Sequence, residues 1–177
     1  MALILARPAL AREHLVEIDP DLADGVAAYR GGYLPEERGL YRKMKCVDQL
    51  SYLAELKGVP RREAVKRADA WLERMGLSEY RDRKVDALSK GMQQKVQFIA
   101  AVINDPDLLI LDEVFSGLDP VNADMMKDII LELQQKGATI IFSTHDMAMA
   151  ERMCDYIFMI YQGKKVLDGT LDHIQDQ

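Results

Sequence analysis

The apolar residues of this chain recur with a helical period in its first half and in short continuous runs in its second half. Between Cys46 and Lys57, and again between Pro60 and Met75, they recur every three or four residues, which predicts two amphipathic helices. Gly58 and Gly76 are placed to end these helices. Residues 1 to 31 keep no period for long and stay unassigned.

From Ser89 onward, helical segments alternate with apolar runs. Runs without polar alternation are expected of strands that are buried on both faces of a parallel sheet. Two such strands are predicted, at Leu108–Leu111 and Thr139–Phe142, and a third strand is predicted at Tyr156–Tyr161. Helices are predicted before and between them, over residues 89–103, 120–136 and 147–153. Strands that alternate with helices indicate an α/β fold.

Composition narrows the class of protein. The chain has 177 residues, of which 49% are hydrophobic and 29% charged, as is typical of a soluble globular protein. The net charge is −6 and no basic stripe occurs, which argues against nucleic acid as the main partner. No apolar run is long enough to cross a bilayer, so direct membrane insertion is not expected. Cys46 and Cys154 lack CxxC spacing and are expected to be buried free thiols in a reducing cytosol.

Two acidic residues, Asp112 and Glu113, end the first of the apolar strands. Ligands of open α/β sheets bind beyond the carboxyl ends of the strands, which is where this pair is expected. In phosphoryl transfer, the first carboxylate would hold Mg²⁺ and the second would orient or deprotonate the attacking water. An acidic pair that only caps the next loop is the alternative, and the pair alone does not decide between the two.

His145 follows the next apolar strand, after Ser143 and Thr144. A histidine at that position can hydrogen-bond a γ-phosphate oxygen and hold the attacking water in place. The simpler alternative is a histidine whose polar atoms are satisfied within the core or the turn.

Ser89, Lys90 and Gly91 begin a predicted helix. A helix N-terminus presents free backbone N–H groups and the positive end of a dipole, which together bind anions. Gly91 lets the backbone approach a phosphate closely, and Lys90 adds a positive charge. Asp119 precedes Pro120 as a good helix cap. Each of these features alone is equally well explained as an ordinary cap.

In this order and spacing, the elements resemble those of an ABC-type ATPase. The matching segments are the signature at Leu88–Gln94, the Walker B strand at Leu109–Glu113, the D-loop at Ser116–Pro120 and the H-loop at Ser143–His145. Tyr33–Glu36 looks like the Q-loop region, with Glu36 where many members have glutamine. The resemblance extends over roughly residues 32 to 177 and is nearest to the sodium-export type of bacterial ABC ATPase.

This resemblance implies a role for each matching residue. Asp112 and Glu36 would support Mg²⁺. Glu113 would be the catalytic base, and His145 would contact the γ-phosphate of ATP. The residues implied to serve the nucleotide of an opposing subunit are Ser89, Lys90, Gly91, Gln93 and Asp119, the last at the dimer seam. The implied partners are a transmembrane permease subunit and a second ATPase subunit, identical or different, on the cytoplasmic face of the cell membrane.

The implied fold is the α/β P-loop NTPase core sheet of an ABC ATPase, without its first strands and with an inserted helical subdomain. Residues 32–177 would form a partial ATPase domain, with the helical subdomain at about 42–88 and the core at 89–177. Because the family's central strand has no counterpart, Thr139–Phe142 and Tyr156–Tyr161 are each expected to lack a pairing partner. Ala2–Leu5 is the single upstream stretch apolar enough to substitute.

The sequence contains no phosphate-binding loop of the form G-x-x-x-x-G-K-[ST]. At its single Gly-Lys pair, Phe158 replaces the first glycine and Lys165 replaces the hydroxyl residue. We therefore expect an N-terminally incomplete chain that is inactive alone.

Two functions stay open. The first is an ATP-binding and ATP-hydrolysing subunit of an export or efflux ABC transporter, in partial form. The second is a non-catalytic ABC-fold remnant or interaction module that cannot bind ATP unaided. A lobe of a chromosome-maintenance ATPase is disfavoured, because no heptad array precedes the signature.

Overall fold

The computed structural model describes residues 2–4, 31–35 and 39–175. Glu36, which the sequence proposes as a Mg²⁺ ligand, lies outside the described residues, as does most of the unassigned segment 1–31.

Three parallel strands form the sheet that carries the candidate site. They are β2 (Gly31–Leu34), β3 (Leu108–Asp112) and β4 (Thr139–Ser143), in the order β2-β3-β4. Leu109 and Leu111 are fully buried on one face of the central strand, whereas Leu108 and Ile110 on its other face are partly exposed, so the predicted burial on both faces is only half met. The register sets Asp112 opposite Ser143, so the polar residues that end β3 and β4 lie side by side.

A second, antiparallel sheet contains β1 (Ala2–Ile4), β5 (Tyr156–Tyr161) and β6 (Lys164–Thr170), with β5 in the middle. The expectation that Tyr156–Tyr161 lacks a partner is wrong, because β1 pairs with it. Both of its pairings are antiparallel, and an antiparallel sheet can leave side chains such as Tyr161 exposed. Within the described residues β4 pairs with β3 alone, as expected.

The helices agree with the sequence pattern in position and length. They are α1 (Cys46–Leu56), α2 (Arg61–Arg74), α3 (Lys90–Val102), α4 (Pro120–Gln135), α5 (Met147–Met153) and α6 (Leu171–Gln175). The last, α6, is a single short turn with no periodic pattern, and the sequence did not predict it. Gly76 ends α2 as predicted, with a φ of +67° that favours glycine. None of the helices in the described part of the chain is long and apolar enough to cross a membrane.

The helices α1 and α2 pack against each other and against α3, which in turn packs on β2. The contact between α3 and β2 is close because Gly32 has no side chain: a Cβ there would lie 2.2 Å from the carbonyl oxygen of Ala101. Buried residues from the helical pair, α3 and the parallel sheet form one continuous core, with Leu72, Phe98 and Phe142 among its largest members. The N-terminal end of α3 therefore has a fixed position relative to the ends of β2 and β3.

Candidate functional site

Ser143 joins the two acidic residues that follow β3. Its hydroxyl donates a hydrogen bond to Asp112 Oδ1 and accepts one of 3.0 Å from the backbone N–H of Glu113. The parallel register between β3 and β4 places the hydroxyl between these groups. A single serine thus orients the Asp112 carboxylate and fixes the backbone of Glu113. Sequence reasoning gave Ser143 no role of its own, although a hydroxyl residue that ends the neighbouring strand was the available signal.

Glu113 has a strained backbone. Its φ is +47°, in the left-handed region that residues with a Cβ seldom occupy. Such conformations persist where the surroundings over-determine them, and they cluster at functional sites. Here the bond from the Glu113 N–H to Ser143 is one of the contacts that hold the turn.

The Glu113 side chain contacts His145, the histidine that the sequence singled out. Nδ1 of His145 lies 3.0 Å from Oε1 and 3.1 Å from Oε2 of the carboxylate. The histidine side chain is 72% exposed, whereas that of Glu113 is 20% exposed. The hydrogen bond and the charge of Glu113 raise the pKa of His145 above its ordinary value. His145 is therefore not a buried core histidine, and its polar contact is with an acidic residue from the adjacent strand end.

The turn after β4 presents His145 through two local hydrogen bonds. Thr144 Oγ1 accepts a bond of 3.1 Å from the backbone N–H of Asp146, and Asp146 Oδ1 accepts one of 3.1 Å from the N–H of Met149. The second bond caps the N-terminus of α5. Thr144 is buried while His145 points outward, so the turn holds the ring at the edge of the sheet.

An open cleft of about 270 Å³ lies beside the two carboxylates, and we refer to it as the acidic cleft. It is lined by Leu34, Pro35, Lys90, Gln94, Gln97, Asp112, Glu113, Ser116 and Gly117. Lys90, from the start of α3, is the positive charge on this wall. Gln94, to which sequence reasoning assigned no role, donates a hydrogen bond of 2.7 Å to the carbonyl oxygen of Val114. That bond attaches α3 to the turn that follows Glu113.

The residues at the start of α3 also stabilise the helix end. Ser89 is its N-cap, and its hydroxyl accepts a bond of 3.3 Å from the N–H of Met92. The side-chain amide of Gln93 donates a bond of 2.8 Å to the carbonyl of Leu88. Gly91 faces Leu118 of the following loop, where an added Cβ would come within 3.9 Å. These hydrogen bonds fix the helix end, and Ser89 and Lys90 are exposed on it. An exposed helix N-terminus of this kind can contact an anion that a second molecule holds.

Asp119 caps the next long helix, α4. Its Oδ1 accepts a bond of 3.1 Å from the backbone N–H of Asn122, and Oδ2 accepts one from the Asn122 side chain. The backbone N–H of Asn122, followed by its side chain, lowers the pKa of Asp119 below its ordinary value. Asp119 therefore keeps its negative charge at neutral pH while it ends an exposed loop.

The acidic residues fit a magnesium ion that the protein holds through only one or two carboxylates. Among the residues that the structure describes, no group of three or more His, Cys, Asp or Glu side chains is arranged to hold a metal. Mg²⁺ commonly takes one or two carboxylates and completes its shell with water and substrate phosphates. Asp112, oriented by Ser143 and followed by Glu113, fits an ion that arrives with a nucleotide.

Comparison with known proteins connects this geometry to a family. The family described as ABC transporter matches residues 21–116, and so begins within the segment that the sequence left unassigned. The uncharacterized ABC transporter ATP-binding protein YhaQ of Bacillus subtilis (strain 168) is 54% identical over 144 residues, which cover 81% of this chain and 48% of YhaQ. A fluoroquinolones export ATP-binding protein of Mycobacterium tuberculosis is 40% identical over 126 residues, or 71% of this chain and 40% of that protein.

A solved structure connects the chain to the same family. The structure of an ATP-binding subunit of an ABC transporter superposes with a TM-score of 0.79 at 36% identity, covering 88% of this chain and 65% of that one. The chain thus spans about half the length of YhaQ, at 48%, and just under two thirds of the solved subunit, at 65%. The predicted α/β P-loop NTPase fold is confirmed. The chain belongs to the ABC transporter family of ATP-binding proteins.

Proposed function

We propose that this chain carries the catalytic and signature-bearing part of an ATP-hydrolysing subunit of an export-type ABC transporter. The contact between Glu113 and His145 at the edge of the acidic cleft is the observation that carries the proposal. An imidazole that holds a carboxylate beside a second, separately oriented carboxylate is suited to positioning and deprotonating a water. The similarity to a fluoroquinolones export ATP-binding protein supports the direction of transport.

Four residues in or beside the acidic cleft have distinct proposed tasks. Glu113 accepts the proton of the attacking water, and His145 keeps the carboxylate oriented and reaches toward the γ-phosphate. Asp112 holds Mg²⁺, which when bound neutralises charge on the phosphates. Lys90 offsets part of the negative charge on the cleft wall.

The start of α3 is proposed to serve a second ATPase subunit. Ser89 and Lys90 are exposed at a helix N-terminus, where backbone N–H groups and the dipole favour an anion. Gly91 leaves room for close approach to a phosphate, since an added Cβ there would meet nothing nearer than Leu118 at 3.9 Å. Asp119 is expected at the seam between the two subunits.

A permease segment is the proposed occupant of a second cavity, which we refer to as the apolar groove. This groove has a volume of about 380 Å³ and is lined by Gly31, Tyr33, Pro35, Gly39, Leu40, Leu53, Leu56, Lys57, Gln97, Ala100 and Ala101. Two of its apolar side chains are largely exposed, Tyr33 at 59% and Leu56 at 63%. Exposed apolar surface of this kind marks interaction sites. The permease would hold the chain at the cytoplasmic face of the membrane.

The alternative is a non-catalytic remnant or interaction module. One observation favours it: the 177-residue sequence has no G-x-x-x-x-G-K-[ST] loop to cradle the α- and β-phosphates. Under this alternative the acidic cleft would keep its geometry without catalysing hydrolysis.

Mixing the chain with a homologous subunit that keeps its own phosphate-binding loop tests the signature-bearing part of the proposal. The homologous subunit would carry an inactivated signature, so that hydrolysis of its bound ATP requires a signature supplied from outside. We expect the chain to restore hydrolysis and its Ser89→Arg variant to fail. Ser78→Arg places the same residue at another exposed position and should restore hydrolysis like the unmodified chain. A folded chain that restores nothing would favour the remnant.

A further inference from the structure

Two basic segments of the chain lie side by side at the start of α1, and we refer to them together as the basic ribbon. The ribbon consists of residues 41–45 and 81–86, which contain six arginines and lysines and two aspartates, in a chain whose net charge is −6. Backbone hydrogen bonds of 3.0 Å join the segments, from the N–H of Val85 to the carbonyl of Met44 and from the N–H of Asp86 to the carbonyl of Arg42. The segments are far apart in the sequence, which is why no basic stripe is visible there.

The pairing places like charges opposite each other. Lys45 and Lys84 are direct partners in an antiparallel bridge, so their side chains leave the ribbon on the same face. Lys43, two residues before Lys45, shares that face. Like charges that are directly opposed destabilise a β-pair, and an anion bound between them would offset this cost.

The two aspartates of the ribbon compensate only part of this charge. Asp86 contacts Lys43 at 2.8 Å and Asp82 contacts Lys45 at 3.5 Å, but the lysine side chains are 85% and 51% exposed. The hydrogen bond from Lys43 lowers the pKa of Asp86, and the charge of Lys84 acts in the same direction, so one carboxylate serves two lysines. Exposed ion pairs contribute little stability, and they leave both lysines accessible to a further anion.

The remaining cations leave a surplus of positive charge. Arg81 contacts Asp69 of α2 at 2.7 Å. Arg42, Arg83 and Lys84 are exposed and form no ion pair with any residue that the structure describes. The ribbon therefore presents three unpaired cations to solvent, beside two lysines in weak surface pairs.

An exposed tyrosine pair adjoins the basic ribbon. Tyr41, its first residue, contacts Tyr52 of α1 edge to face, with the ring centroids 6.2 Å apart. The two residues are 53% and 42% exposed. Tyrosine is enriched where a membrane meets water, because its ring is apolar and its hydroxyl is polar. Leu40, directly before Tyr41, lines the apolar groove that is proposed to hold a permease segment.

We propose that the basic ribbon binds the headgroups of anionic phospholipids on a bilayer surface, with Tyr41 and Tyr52 at the boundary between headgroups and water. Clustered exposed cations are attracted to an anionic leaflet, and the tyrosine rings fit its interface. Nucleic acid fits less well, because the rest of the chain carries a net negative charge that repels an extended polyanion. Lipid binding goes beyond the proposed function and needs neither nucleotide nor a permease.

Vesicle sedimentation of the unmodified chain is the first test. Each cation near an anionic membrane strengthens binding about fivefold, so three unpaired cations should favour vesicles that contain about one-third phosphatidylglycerol over pure phosphatidylcholine vesicles by about a hundredfold. Salt at about 0.5 M should remove most of this preference, because exposed charges are screened.

The double variant Arg42→Glu, Lys84→Glu reverses one unpaired cation in each segment of the ribbon. At about fivefold for each cation removed, it should bind the mixed vesicles at least about twentyfold more weakly than the unmodified chain. Arg42→Gln with Lys84→Gln removes the same charges without reversal and takes its place if the reversed protein does not fold.

A matched double variant controls for net charge. Arg152→Glu with Lys164→Glu makes the same change in net charge at two exposed positions outside the ribbon. It should bind the mixed vesicles within about twofold of the unmodified chain, because distant surface charges are screened. Tyr52→Ser should weaken vesicle binding severalfold, whereas Tyr161→Ser, at another exposed tyrosine, should leave it unchanged.

Three results would overturn the proposal: equal binding to the two kinds of vesicle, a folded Arg42 and Lys84 variant that binds like its parent, or a control variant that loses as much. Tighter binding to a double-stranded RNA than to the mixed vesicles, with the same loss in the ribbon variant, would assign the ribbon to nucleic acid instead. Because these assays contain neither nucleotide nor a second subunit, their outcome is independent of the mixing experiment that tests the proposed function.

Discussion

The ring of His145 and the carboxylate of Glu113 form a two-pronged contact, with Nδ1 at 3.0 Å from one carboxylate oxygen and 3.1 Å from the other. The two residues come from different strand ends, and the Ser143 bonds to Asp112 and Glu113 hold those ends in register. The pair is therefore oriented by the sheet, and this orientation is what a general base requires.

Glu113→Gln tests the role of the base. In an assembly that binds ATP at this cleft, the variant should keep ATP affinity and lose about a hundredfold in turnover, the usual scale for a general base. The amide has nearly the same shape as the carboxylate and cannot take a proton. Glu79→Gln, at an exposed position on another turn, is the control. Near-normal hydrolysis by the Glu113 variant would rule the assignment out.

The pKa of His145 should depend on the carboxylate of Glu113. The contact raises the pKa of His145 above its ordinary 6.5, so the protonated ring is favoured in the folded chain. The contact between protonated His145 and Glu113 thus contributes fully to stability below pH 6.5. This contribution is lost as the pH rises through the higher pKa of His145 in the folded chain. A nuclear magnetic resonance titration of the His145 ring should give a midpoint above 6.5, and Glu113→Gln should lower it. A midpoint at or below 6.5 in the unmodified chain would contradict the contact.

Gly32→Ala should destabilise the chain. The new Cβ would lie 2.2 Å from the carbonyl oxygen of Ala101 and 2.9 Å from Cδ1 of Leu109, so β2 and α3 must separate. Overpacking of this kind costs about 1–3 kcal/mol of unfolding free energy, measurable by urea denaturation. Gly39→Ala makes the same chemical change at a position where no described residue lies within 4 Å of the added Cβ, and it should be nearly neutral. Equal effects at the two positions would mean that β2 does not pack on α3 as described.

The two thiols should be inert in the folded chain. Burial raises the pKa of Cys46 to about 11 and that of Cys154 to about 12, so almost no thiolate forms at neutral pH. Reaction with a disulfide reagent at pH 8 should be slow for the native protein and rapid for both thiols after unfolding in guanidinium. A native thiol that reacts as fast as in the unfolded chain would show that its site is open.

Local patterns in the sequence were sufficient for the helices α1 to α5 and for the parallel strands β3 and β4. The caps at Ser89 and Asp119 and the stop at Gly76 depend on residues within one turn, which is why the sequence predicted them. The sequence named Ala2–Leu5 as a possible substitute partner but did not predict its pairing with Tyr156–Tyr161, because the pairing joins segments far apart in the chain and local periodicity does not encode it. The bridging hydroxyl of Ser143 was missed for a similar reason, since its role depends on the register between β3 and β4.

Calorimetric titration of the isolated chain with Mg-ATP tests the central claim most directly. The account is that Asp112 and Glu113 line the acidic cleft and His145 contacts Glu113, while the sequence offers nothing to cradle the α- and β-phosphates. The carboxylates also repel a polyanion that Mg²⁺ does not neutralise, and Lys90 is the single cation among the described residues that line the cleft. We predict no saturable binding below about 1 mM, which corresponds to only about 4 kcal/mol. Saturation at micromolar ATP would contradict the account.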